Sequence, residues 1–194
     1  MESSKGIARA RILECAEGLI RQYGADAVTV DAVAKTADSA KGLVHYHFKT
    51  KQGLLGAVAE RIAAARRARW QSAFEAPTAD EAISRTWSLL AEESDTGTFK
   101  AWYSLIYADD RLPDGLARRI RQEFGEGLRA ALTRLLRAKL GLAATVPEEE
   151  LGCLLEAVVG GTGMLLACGA EVHRLEGAYA AAWLGILSLT RPVT

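Results

Sequence analysis

Apolar residues recur every three or four positions along most of the chain, and this spacing predicts an almost entirely helical protein. Sustained alternation of apolar and polar residues, which is typical of half-buried strands, is nearly missing. Near the N-terminus, Ile12, Ala16 and Leu19 follow the helical spacing, and Gly24 suits the position just after a helix. The pattern therefore predicts a first helix over about residues 4–23.

Two short helices joined by a tight turn are predicted between Thr29 and Phe48. The first has a small apolar side, formed by Val30, Val33 and Ala37, against which a second helix can pack closely. Thr29 stands at the N-cap position, and a phosphate could bind at the same helix end. This layout is that of a helix-turn-helix unit, which reads DNA with its second helix.

The second helix of this unit carries residues that we expect to contact DNA. If Val44, His47 and Phe48 pack inward, the opposite face is left free. That face combines a cation, a glycine, an imidazole and a phenol. Such a face can contact base edges in the major groove of DNA and the phosphates on either side of it. The residues predicted on or beside it are Lys41, Gly42, Leu43, His45 and Tyr46.

Helical periodicity continues through the rest of the chain. A helix from about Thr50 to Glu75 would be nearly 40 Å long, at roughly 1.5 Å per residue, and would connect the helix-turn-helix unit to the C-terminal part of the chain. Further helices are predicted from Ile83 to about Ser94, from Phe99 to Ala108, from about Pro113 to Leu135, from Pro147 to about Cys168 and from about Leu175 to Thr190.

The last two predicted helices are apolar on more than one side. In the earlier one, Leu151, Leu155 and Val158 form one stripe, while Gly160 and Met164 lie on the adjoining surface. A helix that is apolar nearly all round must be buried from two directions. The second cover is most simply another copy of the chain, which predicts a two-fold dimer made by four helices. The alternative is that both helices lie centrally within one domain.

The net charge of the 194-residue chain is zero, but the charge is unevenly distributed. Residues 1–75 hold 12 lysines and arginines against 8 acidic residues, whereas residues 76–194 hold 12 against 16. Because the local field attracts phosphates, DNA binding is expected only in the N-terminal part.

Several classes of protein are disfavoured. The longest weakly polar stretch, residues 157–170, is shorter than the roughly 20 residues of a membrane span, and no signal peptide is evident, so a cytoplasmic location is expected. Cys15, Cys153 and Cys168 are expected to be buried, inert thiols, with a redox switch through Cys153 or Cys168 as the alternative. No catalytic, metal-binding or cofactor-binding motif is found, so we expect neither an enzyme nor a cofactor.

The stretch from Ile12 to Leu55 resembles the TetR family of transcriptional repressors. The residues that carry the resemblance are Thr29, Val33, Ala34, Ala37, Lys41, Gly42, the box His45–Phe48, Lys51, Leu54 and Leu55. The resemblance implies an all-α homodimer of about nine helices per chain. Residues 1–50 would form a three-helix, helix-turn-helix DNA-binding domain, and residues 51–194 a helical domain for ligand binding and dimerisation. The helix-turn-helix units of the two chains, which we call the readers, would bind a partly palindromic DNA operator. A small molecule would change the distance between the two readers.

The family pattern also assigns roles to single residues. The positions that match DNA contacts are Thr29, Lys41, Gly42, Leu43, His45, Tyr46 and Lys51. Family pockets are lined by the middle helices, which points to Trp87, Trp102, Tyr103, Phe124 and Met164. The tryptophans and Tyr103 could equally be plain core residues. No clear buried charge is evident, which favours a hydrophobic or aromatic effector that releases the DNA.

The chain departs from the family pattern in the turn. Asp38 stands where glycine is usual, and aspartate tolerates positive φ at a cost of about 1 kcal/mol. Ser39 replaces an apolar residue and Ala40 a common serine or threonine, so Ser39 or Asp38 is expected to cap the second helix. His45 stands where tyrosine is common, which affects operator preference. These departures leave an alternative function, a helical ligand- or partner-binding dimer that has lost DNA binding.

Overall fold

The computed structural model describes residues 4–107 and 111–193, and within these ranges the chain is almost entirely helical. The all-α fold class predicted from the periodicity is confirmed. A π-helical turn, Leu135–Lys139, continues the seventh helix. The elements are α1 (Ser4–Tyr23), α2 (Val30–Thr36), α3 (Lys41–Phe48), α4 (Lys51–Phe74), α5 (Ala79–Asp95), α6 (Thr98–Ile106), α7 (Leu116–Arg134), α8 (Glu148–Ala167), α9 (Val172–Ser188), β1 (Leu142–Ala144) and β2 (Thr190–Pro192).

Helix ends differ from the predicted ones by a few residues, for local reasons. Helix α5 begins before Ile83 because the hydroxyl of Thr78 accepts a hydrogen bond from the backbone N–H of Glu81, at 3.2 Å. Ala108, the predicted end of α6, lies outside the described residues. Helix α9 ends at Ser188 because the chain turns into β2, which pairs antiparallel with β1. Strands of three residues are too short to show the alternation that predicts strands.

The chain divides into two compact units, and the division falls within α4 and α7. Unit 1 comprises Met1–Ala63 and Gly97–Arg121, and therefore holds α1, α2, α3 and α6. Unit 2 comprises Ala64–Thr96 and Gln122–Thr194, and therefore holds α5, α8 and α9. The domain boundary expected between residues 50 and 51 stays a prediction.

Helix α6 packs against α1 within unit 1. Gly97 stands at its N-cap with φ +71°, and a Cβ built on this glycine would lie 2.5 Å from the carbonyl oxygen of Arg21. At the same junction, Nζ of Lys100 donates to the carbonyl oxygen of Gln22 at 2.6 Å. Only a residue without a Cβ fits this close approach, so Gly97 allows α6 to join the N-terminal helices.

A buried ion pair joins α4 to α5 inside unit 2. Nε of Arg66 lies 3.0 Å from each carboxylate oxygen of Glu93, and Nη2 lies 2.7 Å from Oε2. Nε1 of Trp70 donates to Oε1 of the same carboxylate at 3.2 Å, and the guanidinium lies 4.6 Å from the ring centroid of Phe124. Arg66 is 3% exposed and Glu93 is 0% exposed. The expectation of no clear buried charge was therefore wrong.

Helix α8 is long enough and apolar enough to span a membrane, judged by its length and composition alone. Its best 18-residue window has a mean hydropathy of 1.4, and 33% of that window is buried inside the chain. The expectation that no apolar segment is long enough to span a membrane was therefore wrong. It took residues 157–170 as the whole apolar stretch, whereas the helix that contains them begins at Glu148. Core helices of soluble proteins meet the same criterion, so this is weak evidence for a membrane.

Candidate nucleic-acid interface

Helix α2 forms as its cap and apolar pattern predict. The hydroxyl of Thr29 accepts a hydrogen bond from the backbone N–H of Ala32 at 3.1 Å, which confirms its N-cap role. Val33, Ala34 and Ala37 are buried, so the small side of α2 faces its neighbours. The first helix of the unit is thereby fixed by one local cap and one packed stripe.

The turn after α2 depends on Asp38, which has a φ of +44°. Its carbonyl oxygen accepts a hydrogen bond from Nη2 of Arg11 at 3.1 Å, so α1 supports the turn. The predicted cap of α3 is wrong: Ala40 occupies the N-cap position, and its side chain makes no cap hydrogen bond. Instead, the hydroxyl oxygen of Ser39 is buried without a hydrogen-bond partner among the described residues.

Helix α3 exposes the face that the sequence predicted. Val44 and Phe48 are buried and His47 is half-buried, in agreement with their predicted inward packing. Tyr46 is 54% exposed. Of the other predicted contacts on this helix, Leu43 is half-buried, and the exposed ones are Lys41, Gly42 and His45.

A carboxylate from α2 partly neutralises this face. Nζ of Lys41 forms an ion pair with Asp31, and both side chains are about three-fifths exposed, at 61% and 62%. An exposed pair of this kind is worth about 0–1 kcal/mol, so a phosphate can compete for the lysine. The sequence indicated the lysine but not its intramolecular partner.

The chain leaves α3 through a strained residue. Lys49 has φ +63° and ψ −55°, and the N–H of Thr50 donates to the carbonyl oxygen of Phe48 at 2.7 Å, which makes a γ-turn centred on Lys49. Nδ1 of His45 lies 3.2 Å from the carbonyl oxygen of Lys49. This turn lets α4 begin with only two residues, Lys49 and Thr50, between it and the end of α3.

The start of α4 places one more predicted contact beside α3. The hydroxyl of Thr50 accepts a hydrogen bond from the N–H of Gly53 at 2.9 Å, and thereby caps the helix. Lys51 is the first residue of α4 and is exposed. Its ammonium group and the N-terminal end of the helix both favour a phosphate at this position.

Two cations outside the predicted DNA contacts lie against Tyr46. Nζ of Lys5 is 5.8 Å from the centroid of the Tyr46 ring, and Nζ of Lys49 is 5.5 Å from it. Lys49 follows the aromatic box in sequence and could have been identified from that position. Lys5 could not, because it is 41 positions from Tyr46 and only the packing of α1 brings it there.

The five predicted ligand-binding residues are divided between the two units. Trp102 and Tyr103 belong to unit 1, where Trp102 is buried and Tyr103 stacks on Phe99 with ring centroids 6.0 Å apart. Trp87, Phe124 and Met164 belong to unit 2. Their placement as a single ligand site stays a prediction.

Within unit 2, the predicted ligand residues have different surroundings. Trp87 packs on Tyr179 with ring centroids 5.7 Å apart, and Phe124 packs edge-on against Trp70 at 6.4 Å. Met164 is 44% exposed. A separate groove of about 520 Å³ between α4 and α5 contains none of the predicted residues, and is lined by side chains that include Arg69, Ser72, Arg85, Ser88 and Glu92.

Unit 2 also holds a buried tyrosine hydroxyl. The hydroxyl of Tyr179 donates to Oγ1 of Thr86 at 2.9 Å, and burial raises the pKa of Tyr179 to about 12, against a smaller opposite effect of the Thr86 hydrogen bond.

The three cysteines are less buried than expected. Cys153 and Cys168 are exposed and Cys15 is half-buried, so the expectation of buried thiols was wrong for Cys153 and Cys168.

Comparison with known proteins supports the helix-turn-helix interpretation. Residues 12–58 match the family described as bacterial regulatory proteins, tetR family. Comparison with curated protein sequences finds no match. The matched residues cover α2, α3 and the first third of α4, together with the second half of α1.

Similar solved structures extend over nearly the whole chain. A TetR-family transcriptional regulator from Agrobacterium tumefaciens matches 97% of this chain and 100% of its own, with a TM-score of 0.77 and 17% identity. SCO4454, a TetR-family transcriptional regulator from Streptomyces coelicolor, matches over 93% and 94%, with a TM-score of 0.73 and 20% identity. The structure of a SmeT–triclosan complex matches over 95% and 91%, with a TM-score of 0.71 and 19% identity. At these identities the likeness shows the fold.

Proposed function

We propose that this chain, whose residues 12–58 match the tetR family of bacterial regulatory proteins, is a member of that family and acts as a repressor. Its dimer would bind a partly palindromic operator and would be released from it by a small molecule. The observation that carries the proposal is the exposed face of α3, with His45 and Tyr46 outward, followed directly by Lys51 at the start of α4. A protein of this family is a regulator and not an enzyme.

The DNA contacts divide by chemistry. Thr29, Lys41 and Lys51 would bind phosphates, because they offer a helix N-terminus or an ammonium group. His45 and Tyr46, with the backbone exposed at Gly42, would face base edges in the major groove, next to the half-buried Leu43. In the dimer the two α3 helices would lie one turn of DNA apart, about 34–36 Å, or a multiple of it.

Salt-dependent binding tests this assignment. Lys51→Ala should reduce the slope of log affinity against log salt by about 0.9 for each reader bound to the duplex upstream of the gene. Lys139→Ala, which removes an exposed lysine of unit 2, is the matched control and should leave the slope unchanged. An unchanged slope for Lys51→Ala would remove Lys51 from the contacts, and a wild-type chain that binds no duplex at low salt would refute DNA binding.

The proposed dimer uses α8 and α9. Leu154 and Leu165 on α8 are 40% and 51% exposed, and Leu184 on α9 is 66% exposed, so the pair leaves an apolar face uncovered. Gly161 and Gly185 have open space where a Cβ would stand, which permits a close approach of another copy. Leu184→Glu should shift the dimer to monomer in sedimentation equilibrium. Ile7→Glu makes the same change at an exposed residue of unit 1 and should not.

The effector is proposed to be a hydrophobic or aromatic small molecule bound in the cytoplasm. The aromatic side chains of the middle helices, Trp87, Trp102, Tyr103 and Phe124, together with Met164, support this proposal. SmeT, whose fold is similar, is described in complex with triclosan. Tenfold release of DNA requires the effector to bind the released state about 1.4 kcal/mol more tightly than the bound state.

Triclosan is a defined first probe of this effector role. Trp102→Ala should spare binding to the upstream duplex and weaken its release by triclosan. Equal loss of DNA binding and of release would show that Trp102 has only a structural role. A wild-type complex that triclosan does not release would exclude this compound as the effector.

A further inference from the structure

Tyr46 is held between two ammonium groups. Nζ of Lys5 lies 5.8 Å from the ring centroid and Nζ of Lys49 lies 5.5 Å from it, and both distances are within the range of a cation–π contact. The tyrosine is 54% exposed, so solvent reaches this group of three residues, which we call the Tyr46 cluster. One cation comes from the first turn of α1 and the other from the turn after α3.

The position of Lys5 is fixed by a second contact of the same kind. Arg9 stands one helical turn after Lys5 on the same side of α1. Its guanidinium carbon lies 5.2 Å from the ring centroid of Phe48, which is buried at the end of α3. This side of α1 therefore lies along the C-terminal half of α3, and Lys5 is brought to the DNA-reading face by helix packing.

Within residues 4–107 and 111–193, no acidic side chain forms an ion pair with the lysines of the Tyr46 cluster. Lys41 is paired with Asp31, whereas no carboxylate of the described residues lies within 4.0 Å of Nζ of Lys5 or of Lys49. The aromatic ring attracts the two ammonium groups without neutralising them. A phosphate approaching this cluster would therefore not have to displace a carboxylate of the described residues, as it would at Lys41.

We infer that Lys5 and Lys49, positioned on Tyr46, bind the phosphodiester backbone of the DNA strand beside the groove that α3 enters. This inference depends on the proposed DNA binding and adds α1 to the contact surface. Two phosphates, or one phosphate shared by both ammonium groups, would be bound at this place. The contact carries no base information, so it contributes equally to every duplex sequence.

A random-sequence duplex of about 30 base pairs is a suitable probe, because the contact is independent of sequence. Affinity is measured by fluorescence anisotropy between about 50 and 200 mM salt for the wild type, Lys5→Gln and Lys5→Arg. Lys100→Gln is the matched control. It removes a lysine that binds the carbonyl of Gln22, about 25 Å from Lys5 along α1 at 1.5 Å per residue.

We expect Lys5→Gln to lower the slope of log affinity against log salt by about 0.9 for each reader bound. At about 0.1 M salt this corresponds to roughly eightfold weaker binding for each reader. Lys5→Arg should restore the slope, since it restores the charge, and Lys100→Gln should match the wild type. Circular dichroism of each variant confirms that the helices remain folded.

The outcomes separate this inference from the proposed function. If Lys5→Gln and Lys100→Gln both keep the wild-type slope while Lys51→Ala lowers it, α1 does not contact DNA and the inference is wrong, although DNA binding stands. If Lys5→Arg fails to restore the slope of Lys5→Gln, the loss does not come from charge and the inference is again wrong. If the wild type binds no duplex at all, the proposed function itself fails.

Discussion

Removing one partner of the buried ion pair should strongly destabilise unit 2. In Glu93→Gln, the guanidinium of Arg66 stays charged and almost fully buried, but it loses the carboxylate that it contacts at 2.7–3.0 Å. Breaking a buried pair in this way typically costs about 3–5 kcal/mol, because an uncompensated charge is left in a poorly solvated place. Glutamine still offers one acceptor oxygen to Nε1 of Trp70, so the cost comes mainly from the charge.

The same two helices provide a matched control. Arg69 and Glu92 also pair between α4 and α5, but their side chains are 42% and 54% exposed. An exposed pair is worth about 0–1 kcal/mol, so Glu92→Gln should change the unfolding free energy by no more than that amount. Comparison of the two glutamine variants therefore isolates the effect of burial at nearly constant position and chemistry.

Urea unfolding followed by tryptophan fluorescence is the appropriate assay. Three of the four tryptophans, Trp70, Trp87 and Trp183, lie in unit 2 and report on its unfolding. All variants must be compared at one chain concentration, since dimerisation would add to apparent stability. The double variant Arg66→Met with Glu93→Gln should recover most of the loss, because it removes the unpaired charge and keeps the acceptor for Trp70.

A loss below about 1 kcal/mol in Glu93→Gln, equal to that of Glu92→Gln, would refute the reasoning. It would mean that water reaches the guanidinium and that the interior of unit 2 does not penalise a lone charge. A double variant no more stable than Glu93→Gln would refute it as well, since the cost would then lie in packing and not in charge.

Three further predictions concern other parts of the chain. Asp31→Asn should strengthen binding to any duplex and steepen its salt dependence by up to about 0.9 per reader, because Lys41 loses its competing carboxylate; binding isotherms at several salt concentrations check this. Gly97→Ala should destabilise unit 1 by at least about 1–2 kcal/mol in thermal or urea unfolding, from its positive φ alone, with the contact to Arg21 adding to the cost. Because burial raises the pKa of Tyr179 to about 12, the contribution of this residue to the free energy of unfolding should be fully present below pH 10 and be lost between pH 10 and 12. Urea unfolding at several pH values should therefore show a smaller decline over this range for Tyr179→Phe than for the wild type.

The sequence by itself determined the helices and the local chemistry of the reader. The N-cap at Thr29, the inward Val44 and Phe48 and the outward Tyr46 follow from spacing and side-chain type within a few positions of each other. Asp38 could be assigned to a positive φ for the same reason, because aspartate is one of the few residues that tolerates it. The cap expected at Ser39 or Asp38 failed because Ala40 occupies the N-cap position, while the hydroxyl oxygen of Ser39 is buried without a hydrogen-bond partner among the described residues.

The tertiary structure alone decided which distant segments meet. Lys5 reaches Tyr46 across 41 positions, Gly97 joins α6 to α1, and Arg66 finds Glu93 across 27 positions. Periodicity shows that a helix has an apolar side, but several helices of the chain have similar apolar sides. Which of them pack together depends on the shapes of their surfaces and on single atoms, such as the Cβ that Gly97 lacks. A charged residue likewise has the same local pattern whether it faces water or a buried partner, so only the packed structure separates Arg66 from Arg69.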